Sequence, residues 1–231
     1  MDPHESEAVI AEFHRFLSDE AYPCVAARAG LDRNQIPCLV VDHIGCPKDD
    51  FSILQFIYLF IGQYRQSDRE FHSAAVIFKQ PESIAEETFD FFLWQRLQAL
   101  SDMDARQYRY DPRVSDDPMD SDFSFSLAEE AFFIIGLHPG SGRNARRFKY
   151  PAIIFNPHVQ FEALRKAARY EKMKNIVRRR DRIFSGSINP MLSDFGQVSE
   201  VFQYSGRQHK QGWTCPLKIM HGNSNDNSTT E

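Results

Sequence analysis

The stretch "FFIIGLHPGSGRNARRFKYPAIIFNPHVQFEALRKAARY", Phe132–Tyr170, decides the fold. Two short apolar runs, Ala131–Leu137 and Ala152–Phe155, have the length and residue types of strands. The Gly-, Pro- and Arg-rich segment between them reads as a loop. Pro157 then stands near the first turn of a helix predicted to reach Arg178, with basic residues gathered toward its end, where they complement the helix dipole. One histidine follows each run, His138 and His158, and Arg143, Arg146 and Arg147 lie between them. Imidazoles can bind a metal or move a proton at neutral pH, and guanidiniums seek anions.

Upstream, Val9, Phe13, Phe16 and Leu17 fall at helical spacing over residues 6–17, with Ser6 in a capping position. Residues 36–41 and 73–79 read as strands, and residues 49–66 as a largely buried helix. The helix at 83–100 opens with Ser83 and Glu86 at capping-box spacing and sets Phe89, Phe92, Leu93, Leu97 and Leu100 along one face. Residues 101–124 are acidic, lack periodicity and form a surface loop or lid. Residues 185–216 mix Gly, Ser and Asn with Phe195, Phe202, Tyr204 and Trp213, the pattern of an ordered loop packed by its own aromatics. This pattern predicts one α+β domain over residues 1–218, a largely antiparallel central sheet with packed helices, followed by a flexible tail at 219–231.

The chain has 231 residues, 42% hydrophobic and 26% charged, enough to bury a sizeable core without disulfides. Twenty phenylalanines supply an aromatic interior that can line an apolar pocket. No run of eighteen apolar residues occurs, and the first residues are acidic rather than basic and then apolar, so a cytoplasmic protein with no membrane partner is expected. Cys24, Cys38, Cys46 and Cys215 form no CxxC pair and read as reduced thiols.

Net charge is −5, unevenly spread: Pro139–Arg182 carries thirteen Lys and Arg against three acids. That segment calls for an anion, either the protein's own acidic surface, a nucleic-acid backbone or the carboxylates of a cofactor. Overall acidity disfavours nucleic acid. In the 185–216 loop, Asp194 and Glu200 are the carboxylates able to hold a cation in bidentate fashion. The alternative is that they pair with the basic helix or cap a short helix near Glu200. No nucleophile elbow, phosphate-binding loop or dinucleotide fingerprint is present, which removes the commonest hydrolase and nucleotide-binding readings.

The segments "GLHPGSGRNARRFKYPAIIFNPHVQFEALR", "RRRDRIFSGSINPMLSDFGQVSEVFQYSGR", "WTCP" and "YPCVAARA", together spanning Tyr22 to Pro216, resemble the YqcI/YcgG family. Its characterised members are haem-dependent enzymes that hydroxylate a guanidino nitrogen of arginine or an arginine-like small molecule. The resemblance implies a b-type haem, with iron ligated by His158 or His138 and propionates held by Arg143, Arg146 and Arg147. A helix N-terminus disfavours imidazolium, which favours His158. Thiolate ligation by Cys24 or Cys215 is the other option. The resemblance further implies O2 and a guanidino substrate oriented by Asp194 or Glu200, with electrons from an external donor or reductase. A haem carrier or sensor without a substrate site is the alternative function.

Overall fold

The computed structural model describes residues 3–67, 70–187 and 197–221. Its centre is a five-stranded sheet of β1 (Cys38–His43), β2 (Ala74–Gln80), β3 (Phe125–Leu127), β4 (Glu130–Leu137) and β5 (Ala152–Pro157). The spatial order is β1-β2-β5-β4-β3. Only β1 and β2 run parallel, joined through the crossover helix α3 described below, and the other three pairings are antiparallel.

Seven α-helices are present among the described residues: α1 (Pro3–Ser18), α2 (Val25–Asp32), α3 (Asp50–Arg65), α4 (Glu86–Asp104), α5 (His158–Lys166), α6 (Tyr170–Ser185) and α7 (Val201–Tyr204). None is long and apolar enough to cross a membrane. Side chains of a strand alternate between faces, so a sheet covered on both sides must be apolar on both. β2 does this: Ala74, Val76 and Phe78 join a core with Ile57 of α3 and Leu93 of α4. Ala75 and Ile77 join a second core with Val9, Phe13 and Leu17 of α1. The result is an α+β domain with a mixed, mostly antiparallel sheet, as the sequence predicts.

Three local features depart from the sequence-based expectation. β3 lies just past a segment read as loop, and it joins β4 through Ala128 and Glu129, at φ 48° and 57°. Tight hairpins of this kind normally use Asn or Gly. Here tertiary bonds hold the turn instead: Ala128 N–H donates to Asp104 at 2.9 Å, and Arg65 Nη2 donates to the Ala128 and Glu129 carbonyls at 3.0 Å each.

The helix expected from Pro157 to Arg178 is two helices, α5 and α6. Ala168 has φ 53°, Arg169 N–H bonds to Leu164 O at 2.9 Å and Ala168 N–H to Arg165 O at 3.0 Å. This is the bond pair that closes a helix at a left-handed residue, made here without glycine. Helix α4 forms as expected but starts at Glu86, with Ala85 as its cap and no side-chain bond, so the Ser83/Glu86 capping box is not made.

At the other end of the chain, Leu217 and His221 are buried, and His221 Nε2 lies 2.9 Å from Asp104 Oδ2. The described chain is thus packed through His221, and the remainder of the segment expected to be a tail lies outside the described residues.

Two glycines test this packing in opposite directions. A Cβ on Gly136 of β4 would lie 2.6 Å from Phe89 and 3.0 Å from Tyr204 O, whereas one on Gly62 of α3 meets nothing within 4 Å. Urea unfolding should show Gly136→Ala destabilised by about 1–3 kcal/mol through overpacking. Gly62→Ala should be stabilised by roughly 0.5–1 kcal/mol through helix propensity.

Candidate functional site

A cavity of about 340 Å³ lies on the α1/α2 side of the sheet. Its floor is Phe133, Ile135 and Ile154 of β4 and β5, and Leu164, Met173 and Val177 of α5 and α6 line it as well. Phe13 and Phe161 extend the aromatic lining that the phenylalanine content suggests. The volume and apolar lining suit a small molecule or cofactor.

The charged lining is lopsided. Arg143, Arg146, Arg165, Lys174 and Arg178 face two carboxylates, Asp181 and Glu200. Arg143 is already paired, its Nη2 lying 2.6 Å from Asp181 Oδ2. Arg146 is different. It is buried, and its Nη1 donates to two carbonyls, Gly136 at 3.3 Å and Tyr204 at 3.0 Å. No carboxylate among the described residues lies within ion-pair distance of it. Burial lowers its pKa to about 10, so it remains a cation at neutral pH. A buried cation without an anionic partner is costly unless a ligand supplies the counter-charge.

His158 is the first residue of α5, placed where β5 ends, and it lines the same cavity. Its Nδ1 lies 3.1 Å from Ser124 Oγ and its Nε2 lies 3.5 Å from Arg165 Nη2. A guanidinium only donates, so this contact is compatible with a lone pair on Nε2. Burial, then the Arg165 charge, lowers the His158 pKa and keeps the ring neutral.

The Tyr204 hydroxyl donates to Glu200. Burial nevertheless outweighs that bond and raises the Glu200 carboxyl to about 8. His72, on the same cavity, has Nε2 3.1 Å from Ser67 Oγ, and its backbone exchanges two bonds with Gln160.

The residues expected to form one site are divided. His158, Arg143, Arg146, Glu200 and Cys24 line the cavity; His138, Arg147 and Cys215 do not. His138 is fully buried and stacks on Phe89 at 4.3 Å, against the core of α4, with neither ring nitrogen hydrogen-bonded. Antiparallel pairing explains the separation. Leu137 pairs with Ala152 and Phe132 with Pro157, so the residue after β4 and the residue after β5 sit at opposite ends of the hairpin, roughly 20 Å apart along the strands.

Arg147 is exposed and spends its Nε on Ser141 O at 2.8 Å. The Cys24 thiol accepts Ala27 N–H at 3.4 Å as the cap of α2, and burial pushes its pKa up. Asp194 lies outside the described residues. Ser124 and Arg165 were not singled out by sequence. Arg165 carried a usable signal, lying two helical turns after His158 on one face, whereas Ser124 sits in an aperiodic segment that offered none.

Because the folded protein holds His138 neutral, at a pKa of about 4 against 6.5 ordinarily, the unfolded chain binds the proton first. Stability is therefore unaffected above pH 6.5 and is lost as pH falls from 6.5 through 4, by on the order of 3 kcal/mol. Unfolding of His138→Leu should be less pH-dependent than that of the parent across this window, and an equal slope in both would assign the acid sensitivity to other groups.

No curated protein and no solved structure matches the chain. One protein family does, over residues 13–218, which include Arg146, His158, Ser124 and Glu200. The chain belongs to the YqcI/YcgG family.

Proposed function

We propose that the cavity binds one b-type haem and that the protein is an oxygenase hydroxylating a guanidino nitrogen of arginine or an arginine-like small molecule. One observation carries this reading: an imidazole held neutral by burial and a buried guanidinium with no carboxylate partner among the described residues line the same apolar cavity. These residues fit the group. His158 would hold the iron and Arg146 a propionate, while Cys24, its thiol kept protonated and used as a helix cap, is the weaker ligand. His138 and Arg147 have no part in it, because neither lines the cavity.

When bound, a haem supplies activation of O2 with electrons from an external donor. The chain's own residues then do the rest. His158 presents its ring to the cavity, Arg146 fixes the orientation of an anionic group, and Ile135, Ile154 and Phe133 keep water from the floor. Arg165 has to move from Nε2 for that atom to ligate. Both carboxylates that line the cavity among the described residues are engaged, Asp181 by Arg143 and Ser185, and Glu200 by Tyr204. The guanidino substrate class therefore rests on the family resemblance.

The test is O2 uptake by haem-supplemented protein given a chemical reductant and arginine, a simple alkylguanidine or lysine. The reading expects uptake with the guanidines and not with lysine, formation of an N-hydroxyguanidine, loss of both in His158→Ala and retention in His138→Ala. Arg146→Gln should weaken haem binding roughly ten- to a hundredfold, the value of one lost charge-assisted bond, without altering the ligation spectrum. Haem binding without guanidine-dependent uptake would make the protein a carrier or sensor and overturn the enzymatic reading.

A further inference from the structure

Helix α6 presents one face to the cavity and another to solvent. Met173, Val177 and Asp181 line the cavity. At 3.6 residues per turn the opposite side of the helix carries Lys172, Asn175, Arg179, Arg182 and Ile183, all of them exposed. Ile183 is 80% exposed. The basic residues of the helix divide in the same way. Lys174 pairs with Glu171 at 2.7 Å, and Arg180 Nη2 donates to the Tyr22 carbonyl at 3.0 Å. Lys172, Arg179 and Arg182 make no hydrogen bond or ion pair among the described residues. The helix dipole accounts for only one of these three. Arg182 stands in the last turn, where a cation is favoured, but Arg179 is inside the helix and Lys172 is in the first turn, where the dipole opposes it. No acid lies three or four residues from any of them on the helix, and Arg179 and Arg182 repel each other at that spacing. The stripe therefore adds nothing to the stability of α6, in a chain whose net charge is −5.

We propose that the exposed stripe of Lys172, Arg179 and Arg182, with Ile183 at its end, is the docking surface for an acidic electron-donor protein. The inference rests on the haem reading, which needs electrons from outside the chain. Its placement suits that need: the stripe stands one helix diameter, about 10–12 Å, behind the wall of the cavity. Hydroxylating one N–H with O2 consumes two electrons and two protons and releases one water. A one-electron donor therefore docks, is oxidised by one electron and leaves, twice per turnover. Cations around an exposed apolar side chain serve such a short-lived contact, because charge speeds the encounter and a small apolar centre lets the partner go. A nucleic acid would meet the same cations, but the chain's net charge of −5 repels a long polyanion, whereas a small acidic protein can cover the stripe alone.

The experiment has two readouts on the full chain, with an acidic plant-type ferredoxin, a two-iron, two-sulfur protein, as the probe. In haem-free protein, backbone amide NMR shifts report binding of the oxidised ferredoxin. They should map to the exposed face of α6, and affinity should fall by about tenfold between about 0.02 and 0.2 M salt. Lys172→Glu/Arg179→Glu/Arg182→Glu should weaken binding by about tenfold or more, and the milder Lys172→Gln/Arg179→Gln/Arg182→Gln should lie between it and the parent. In haem-loaded protein, reduction by reduced ferredoxin should slow in the same order, whereas haem content and reduction by dithionite should match the parent. A parent that does not bind ferredoxin, shifts that map to another face, or variants that bind and accept electrons as the parent does would overturn the docking surface. So would duplex DNA that binds the parent more tightly than ferredoxin and is lost in the same variants, since that would assign the stripe to nucleic acid. Ferredoxin binding at the stripe of a chain that takes up no haem would sink the haem reading and leave the stripe as a surface for an acidic protein.

Discussion

The hydrogen bonds from Arg146 Nη1 to the Gly136 and Tyr204 carbonyls tie the sheet to the site. β3 pairs with only Glu130, Ala131 and Phe132 of β4, so the outer edge of β4 beyond them needs other cover. Helix α7 packs there, and Arg146 bridges its last carbonyl to the strand. The arrangement demands close approach. A Cβ on Gly206, which has φ 83°, would lie 2.6 Å from Arg146 Cδ. Burying a guanidinium costs several kcal/mol before its bonds are counted, and two neutral carbonyls offset only part of that. The group closing the sheet edge is therefore also the group that gives the cavity its demand for an anion.

The second constraint is the sheet itself. Because β4 and β5 pair antiparallel, His138 and His158 stand at opposite ends of the hairpin and cannot share a site. One is committed to the α4 core beside Phe89, and the other to the cavity. Each is neutral because it is buried, but only His158 has its nitrogens engaged by polar partners. Burial without partners makes His138 a structural residue sensitive to acid, whereas His158 meets polar groups inside the cavity.

Much of this was legible in the sequence, and the failures have physical causes. Four of the five strands, the long helices and the aromatic lining follow from periodicity and composition. The turn at Ala128 and Glu129 was not legible, because Asp104 and Arg65 enforce it from a distance where a local Asn-Gly signal would otherwise be read. The break at Ala168 was hidden for the same reason, a left-handed residue without glycine. For the site, the fold groups the named residues differently from their order in the sequence. His158, Arg146 and Glu200 converge, but sequence proximity also recruited His138 and Arg147, although strand pairing carries successive strand ends to opposite ends of a hairpin. Ser124 became visible only through its contact with His158.

The central claim is that the cavity over β4 and β5 is a haem site with a nitrogen ligand from His158. A titration of the purified, folded protein with haem, followed by visible absorption, tests it most directly. The account predicts saturation at about one haem per chain, with the Soret spectrum of an imidazole-ligated iron. Uptake that never saturates, or a saturating spectrum of a thiolate-ligated iron pointing to Cys24, would contradict it.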